Sequence, residues 1–197
     1  MMRFRGATAA AFAVALVTAA GCSAPPGGGG GGGGPTVWTI PAGAHDATGS
    51  TVAFTATDVV EFRTRFDTSA EYSTADPANQ ADINKLRGMS DCGSHHHTNS
   101  ARFGWRWNVD RIEILAYTYV AGVRDDVLLG SVLPGEWHDY RLELTPTGYE
   151  FTLDGITTTT PRGCAQADLA KYHLWPYFGG DEVAPHTITI EIEQLVG

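Results

Sequence analysis

The chain has 197 residues and a formal net charge of −9, with 22 acidic and 13 basic side chains. This acidic balance argues against nucleic-acid binding and against a basic membrane-binding face, because both of those partners carry negative charge. The chain also holds 24 glycines and three cysteines, and their positions divide it into segments of different character.

The first 21 residues have the pattern of a secretion signal. Two arginines precede an apolar run over 7–20, which is shorter than the roughly 20 residues that a permanent membrane span needs. The run ends in Ala19-Ala20-Gly21-Cys22. This ending resembles the lipobox of bacterial lipoproteins, although that motif favours leucine where Ala19 stands. The resemblance implies a signal peptide at 1–21 and a lipidated Cys22 at the mature N-terminus. It also implies a place in the cell envelope, either on the outside of the cytoplasmic membrane or at the cell surface, with the lipid as the only membrane contact. An ordinary secretion signal with an incidental cysteine is the alternative.

Lipidation of Cys22 leaves two cysteines, Cys92 and Cys164, which we expect to pair in the oxidising compartment that an exported chain enters. The bridge would close a loop of about 70 residues and contribute roughly 4 kcal/mol on the chain-entropy model. Two free thiols are the alternative. Residues 22–35 form a flexible linker around an unbroken glycine run at 27–34, with a span of about 20 Å. Residues 36–197 are long enough for one domain with a sizeable core.

Apolar and polar residues alternate in several short segments of this domain. Alternation indicates half-buried strands, because successive side chains leave opposite faces of a sheet. Asp154-Gly155 is a hairpin signal, since both central positions of a type I′ turn need positive φ. No long segment has helical periodicity, so the pattern predicts an all-β, antiparallel β-sandwich. The alternating segments are 52–56, 60–66, 140–144, 149–153 and 188–192.

Three further segments, 94–107, 113–119 and 173–180, are rich in polar and aromatic residues. If each is a strand, its parity places these side chains on one face of a sheet. Aromatic rings suit the C–H faces of sugars, and arginine and histidine donate to hydroxyls or carboxylates. The alternative is that the aromatic rings fill the core. The candidate ligand-binding residues are Arg102, Arg106, Tyr117, Tyr119, His173, Trp175 and Tyr177.

The segments 83–86, 99–106 and 172–186 resemble the concanavalin A-like lectin/glucanase superfamily, and the similarity runs from about 59 to 192. The resemblance implies a jelly roll of two packed sheets with a concave face that meets glycans. It does not fix an activity, because this fold hosts lectins, hydrolases, lyases and structural modules. We therefore expect a lectin-like domain that binds a polysaccharide or a cell-wall glycan.

Two alternatives to simple glycan binding follow from the same resemblance. Jelly-roll alginate lyases use an arginine to neutralise the uronate carboxylate, a tyrosine to move protons, and a histidine or glutamine. Arg102, Tyr117 or Tyr119, and His173 match these roles by type, although the lysine of the Tyr-x-Lys-Ala-Gly stretch is missing at 117–123. The second alternative is a structural envelope lipoprotein without catalysis. Retaining glucanase chemistry is disfavoured, because the Glu-x-Asp-x-x-Glu strand of those enzymes is absent.

His95-His96-His97, close to Asp91, is a candidate metal site, because imidazole groups suit zinc or copper. The spacing matches no defined ligand motif, so a polar loop near the disulfide is the favoured interpretation and no metal is expected. The glycine run at 27–34 follows no strand and therefore does not form a nucleotide-binding fingerprint. We expect no cofactor.

Overall fold

In a computed structural model of the chain, residues 34–165 and 169–197 are described. The expected signal peptide, the lipidated Cys22 and most of the linker lie outside these residues. The described residues form twelve strands and two short 3-10 helices, Thr68–Ala70 and Pro77–Ala81. This composition confirms the predicted all-β, antiparallel sandwich. Within the described ranges, no helix has the length and apolar character required to cross a bilayer.

The first sheet is antiparallel throughout and has six strands. In spatial order they are β1 (Thr36–Ile40), β12 (Ile188–Val196), β3 (Val59–Phe66), β8 (Trp137–Leu144), β9 (Gly148–Leu153) and β10 (Ile156–Pro161).

The second sheet is also antiparallel and has six strands. In spatial order they are β2 (Phe54–Thr55), β11 (Lys171–Leu174), β4 (Asn84–Ser90), β5 (Ser100–Asn108), β6 (Arg111–Val120) and β7 (Val123–Val132).

Aromatic rings from both sheets fill the space between them. Phe103 of the second sheet meets Tyr140 and Phe151 of the first sheet edge to face, each with ring centres 5.1 Å apart. Phe62 stacks on Tyr140, also at 5.1 Å, and all four residues are buried. Such contacts add roughly 0.5–1.5 kcal/mol per pair beyond the burial of apolar area. The inward-pointing side chains of each alternating strand therefore belong to the core.

The alternating segments at 60–66, 140–144, 149–153 and 188–192 are strands β3, β8, β9 and β12, as predicted. Asp154 and Gly155 have φ values of 48° and 82°, which confirms the tight hairpin between β9 and β10. The segment at 52–56 was expected to be a half-buried strand, and this expectation is wrong. Only Phe54–Thr55 forms a strand, and the Phe54 side chain is 75% exposed. The reason is that β2 pairs with β11 through two residues at the edge of the sheet.

The central strand β5 divides its side chains between two environments. Ala101, Phe103 and Trp105 point into the core, where each is fully buried. Arg102 and Gly104, which alternate with them, therefore point to the outer face of the second sheet. This outer face carries the candidate site.

Candidate active site

Arg102 occupies the middle of the outer face of the second sheet. It lies opposite Tyr117 on β6 and opposite Gly88 on β4. A Cβ atom at Gly88 would lie 2.5 Å from the Arg102 Cα, so a larger residue could not stand there. Arg102 is only 6% exposed, yet its Nε and Nη2 have no hydrogen-bond partner among the described residues. Burying a guanidinium without acceptors is costly, and such groups in native proteins call for an explanation.

Four tyrosines surround this guanidinium. Tyr117 and Tyr119 alternate along β6, and Tyr172 comes from β11. Tyr177 follows β11 and reaches the same face through its bridge to Lys85. Burial lowers the pKa of Arg102, and the four phenol groups act in the opposite direction. We call these four residues the tyrosine ring. It places polar hydroxyl groups around the Arg102 cation but supplies no counter-ion.

Lys85 of β4 lies on the same face, opposite Gly104. Its Nζ stands 5.0 Å from the ring centre of Tyr117 and 5.7 Å from that of Tyr177. Burial lowers the pKa of Lys85 to about 8, and the nearby charges of Arg102 and Arg124 contribute in the same direction. A substantial fraction of this amine is therefore neutral near physiological pH, which is the condition for a lysine general base.

The loop between β4 and β5 brings a histidine to the ring. The backbone N–H of His96 donates to the Tyr172 hydroxyl at 3.0 Å, and the His96 Nδ1 lies 2.9 Å from the same oxygen. Burial, together with the charge of Arg102, lowers the pKa of His96 to about 4, so its imidazole is neutral at pH 7. The ring of His97 lies 5.3 Å from that of Tyr119. The loop thus contacts Tyr172 and Tyr119 through histidines and adds no positive charge from His96 at pH 7.

The three consecutive histidines of this loop are the residues of the described chain best placed to hold a metal ion. Nitrogen atoms of His95, His96 and His97 lie within 4.8 Å of one another. One of these nitrogens, the His96 Nδ1, is already hydrogen-bonded to Tyr172. Asp91, which the sequence placed near this group, is instead held by Arg162.

Two connections anchor the start of the histidine loop. Cys92 forms the predicted disulfide with Cys164. The buried carboxylate of Asp91 accepts hydrogen bonds from Arg162 at 2.7 and 2.9 Å and from the Tyr149 hydroxyl at 3.0 Å. A buried, fully hydrogen-bonded ion pair fixes geometry more than it adds stability. The loop is therefore tied to the strand that precedes it and to the segment after β10.

Arg106, expected in the site, shares the outer face with Arg102 but stands apart from the ring. Its Nε donates to Glu113 at 2.7 Å, and its Nη1 donates to the carbonyl of Ala81 at 3.0 Å. Leu115, opposite Gly104, is buried in the row between the two arginines. Arg106 thus already has its acceptors and belongs to the margin of the face.

His173 and Trp175 do not lie on this face, contrary to the sequence-based expectation. His173 is opposite Met89, a core residue, so its side chain points inward. Trp175 stacks on Trp38 of the first sheet, with ring centres 5.0 Å apart, and Arg87 packs over it at 4.3 Å.

Alternation gives the wrong face for His173 and Trp175 because β11 is only four residues long. Strand β11 ends at Leu174, so strict alternation does not continue to Tyr177. Tyr172, rather than His173, is the residue of β11 that reaches Arg102, and His96 is the histidine beside it. Pairing with β4, which sets the faces of β11, is what places Tyr172 and not His173 on the outer face.

Two carboxylates that strands β6 and β7 place on the outer face each lie close to an arginine. Glu113 binds Arg106, and Asp126, opposite Tyr117 on β7, lies 3.7 Å from Arg124. Glycoside hydrolysis with retention needs two carboxyl groups about 5–5.5 Å apart across the scissile bond. The centre of this face instead presents cationic, phenolic and imidazole groups, which are suited to binding an anion and transferring protons.

No protein-family model matches this sequence, and no curated protein matches it. Several solved structures are similar in fold. The alginate lyase AlyC3 aligns with a TM-score of 0.55 at 7% identity, covering 82% of this chain and 74% of that one. The family 7 alginate lyase A1-II′ aligns at 0.50 with 6% identity, covering 82% and 80%. The catalytic domain of a laminarinase from Thermotoga petrophila RKU-1 aligns at 0.51 with 12% identity, covering 81% and 75%. At such identities the likeness concerns the fold alone, and it establishes that the chain has the concanavalin A-like jelly-roll fold of these carbohydrate-active enzymes.

Proposed function

We propose that the outer face of the second sheet binds a uronate-containing polysaccharide and cleaves it by β-elimination. The observation that carries this proposal is Arg102, a buried guanidinium whose Nε and Nη2 lack acceptors. These two N–H groups form one edge of the planar fork that binds a carboxylate in a bidentate manner. A uronate carboxylate supplies the missing charge and both missing acceptors.

The charge of this face supports an anionic ligand. The chain as a whole carries −9, whereas Lys85, Arg102 and Arg124 lie close enough together for each arginine to lower the pKa of the lysine. Concentrating like charges in a partly buried place is unfavourable unless a ligand of opposite sign binds there. A neutral glycan would leave that repulsion in place.

The same groups can perform the elimination. When Arg102 pairs with the carboxylate, it stabilises the negative charge that develops as the C5 proton leaves. The neutral fraction of Lys85 accepts that proton. The C4–O4 bond then breaks, a C4=C5 double bond forms, and a phenol protonates the departing oxygen. Burial raises the pKa of Tyr117 to about 12, so its hydroxyl keeps its proton and serves as this donor.

The fold alone does not choose between elimination and hydrolysis. Two of the solved structures with the same fold are alginate lyases and one is a laminarinase, so the fold is compatible with either chemistry. The absence of an unpaired carboxylate pair at the centre of the described face favours elimination over hydrolysis.

Glycan binding without cleavage is the second candidate. The observation that favours it is the ring of four tyrosines around Arg102, because phenol groups combine an apolar face for a sugar with a hydroxyl for hydrogen bonding. A lectin-like face of this composition needs no titrating base. The two candidates therefore differ in whether Lys85 is required.

One experiment separates these candidates. The purified full chain is incubated with polymannuronate, polyguluronate and polyglucuronate, and the ultraviolet absorbance of the unsaturated product and the retention of each polymer in affinity electrophoresis are measured. We expect an absorbance increase on at least one polymer, lost in Lys85→Met, which still retards the polymer. Retardation without any absorbance change would support binding alone. Neither signal on any of the three polymers would reject both the cleavage and the binding of uronate polymers.

We also propose that the chain is held at the cell envelope by a lipid on Cys22, since 1–22 resembles a lipoprotein signal. Expression of the full chain with labelled palmitate provides the test. The label should enter the unchanged protein and move it to the detergent phase, and Cys22→Ser should abolish both effects. Label-free secretion of the unchanged protein would reject the anchor.

A further inference from the structure

Phe54 is a large apolar residue that the fold leaves in solvent. Its side chain is 75% exposed, although it belongs to a strand of the second sheet. It stands directly opposite Tyr172, and the two rings meet edge to face with centres 6.1 Å apart. Opposed residues of antiparallel strands share a face. Phe54 therefore continues the outer face that carries Arg102 and the tyrosine ring.

The distance between Phe54 and the centre of the site follows from the order of the strands. Strand β2 is separated from β5 by β11 and β4, so three strand spacings of about 4.8 Å place it about 14 Å away. Tyr172 lies between Phe54 and Arg102 on the same face. A polysaccharide that crosses the strands from Arg102 would pass Tyr172 and reach Phe54 after several sugar rings.

The opposite end of the face has no comparable platform for a sugar ring. Strand β7 carries no aromatic residue. It places Arg124 opposite Tyr119 and Asp126 opposite Tyr117, and these two side chains lie 3.7 Å apart and offset each other's charge. The face is thus asymmetric, with an exposed aromatic ring at the β2 end and a paired acid and base at the β7 end.

We propose that Phe54 is a stacking platform for a sugar ring remote from the reacting unit, and that the bound polysaccharide extends from Arg102 towards β2. This inference rests on the proposed uronate-binding function. The apolar C–H face of a pyranose covers the exposed ring, which removes apolar area from water on both partners. The platform contributes only to chains long enough to span the interval.

The test compares Phe54→Ala with the unchanged full chain on uronate oligomers of increasing length, from dimer to octamer, prepared from the polymer that responds best. We expect about tenfold weaker binding or higher KM for the longest oligomers, equivalent to about 1.4 kcal/mol, with no change for the shortest. Phe54→Trp should restore the long-chain preference. Ile156→Ala is the matched control, because Ile156 is 71% exposed on the first sheet.

The outcomes distinguish a failure of the Phe54 platform from a failure of the proposed uronate-binding function. If Arg102→Met abolishes action on all oligomers and Phe54→Ala changes none of them, the platform is wrong and the site stands. If the unchanged chain neither binds nor cleaves any uronate oligomer, both proposals fall. A loss in Phe54→Ala that is equal for short and long oligomers would also overturn the platform, since it would place Phe54 beside the reacting unit.

Discussion

Arg102 and Tyr117 lie directly opposite each other on neighbouring strands, and the guanidinium carbon stands 5.2 Å from the centre of the phenol ring. This cation–π contact offsets part of the cost of burying the charge. It does not use the Nε and Nη2 hydrogens, which remain without acceptors among the described residues. The pair therefore holds the cation in place and leaves two of its buried N–H groups without an acceptor.

Replacing this arginine should separate function from stability. Arg102→Met removes the charge and keeps an unbranched apolar chain, so we expect activity on uronate polymers to fall by about 100- to 1000-fold. The free energy of unfolding should be unchanged or higher, because an unpaired buried charge has been removed. Urea denaturation and the elimination assay measure the two quantities. Arg141→Met, on the first sheet, is the control and should retain activity, because Arg141 pairs with Glu143 away from the site. A large loss of stability in Arg102→Met would show that the arginine is structural.

If Lys85 is the general base, the rate of elimination should increase with pH. Burial lowers the pKa of Lys85 to about 8, and only the neutral amine can accept a proton. The rate at low substrate concentration should therefore rise with pH through that value. Initial rates between about pH 6 and pH 10 provide the measurement. Lys85→Arg should remove both the activity and the rise, since a guanidinium stays protonated throughout this range. A flat profile for the unchanged protein would count against Lys85 as the base.

Gly179 offers a way to move Lys85 without replacing it. A Cβ atom at this position would lie 2.2 Å from the Lys85 Nζ and 3.0 Å from the carbonyl oxygen of Ile83. Gly179→Ala should displace the amine, and a shift of about 1 Å is enough for a rate loss of about 100-fold. Steady-state kinetics should show the loss in kcat. Gly130→Ala is the control, because its Cβ would meet only the flexible end of Leu153. Equal activity in the two variants would contradict the placement of Lys85.

The disulfide should support both the fold and the site. Cys92 and Cys164 are 72 positions apart, and the chain-entropy model assigns a loop of this size about 4 kcal/mol. The double variant Cys92→Ser, Cys164→Ser should lose about that much free energy of unfolding in urea denaturation. The histidine loop begins at this bridge, so the folded fraction of the variant should also be less active. Full stability and full activity in the double variant would show that the Asp91–Arg162 pair holds the loop by itself.

Strand parity was enough to predict the centre of the candidate site. Arg102, Tyr117 and Tyr119 lie within long strands, so counting by twos gave their faces correctly. The same rule gave the wrong face for His173, because β11 has only four residues and its register against β4 is set by partners far away in the sequence. No local pattern contains that information.

The partners of Arg102 were harder to predict than Arg102 itself. Lys85 lies in a strand whose register shifts between Lys85 and Gly88, which obscures the alternation. His96 reaches Tyr172 from a loop, where periodicity has no meaning. Burial, which makes the pKa of Lys85 unusual, depends on the packed sheet and is invisible in the sequence.

The insertion of β11 between β2 and β4 has a consequence for biosynthesis. Strands β4 to β7 leave the ribosome before β11, so Tyr172 emerges after Arg102 and Tyr117. Until β11 docks, β4 presents an open edge on which a neighbouring chain can pair. A polypeptide that lacks β11 therefore has Arg102 without Tyr172 beside it. Its open β4 edge also makes it prone to aggregate. Docking of β11 therefore both covers the edge of β4 and brings Tyr172 beside Arg102.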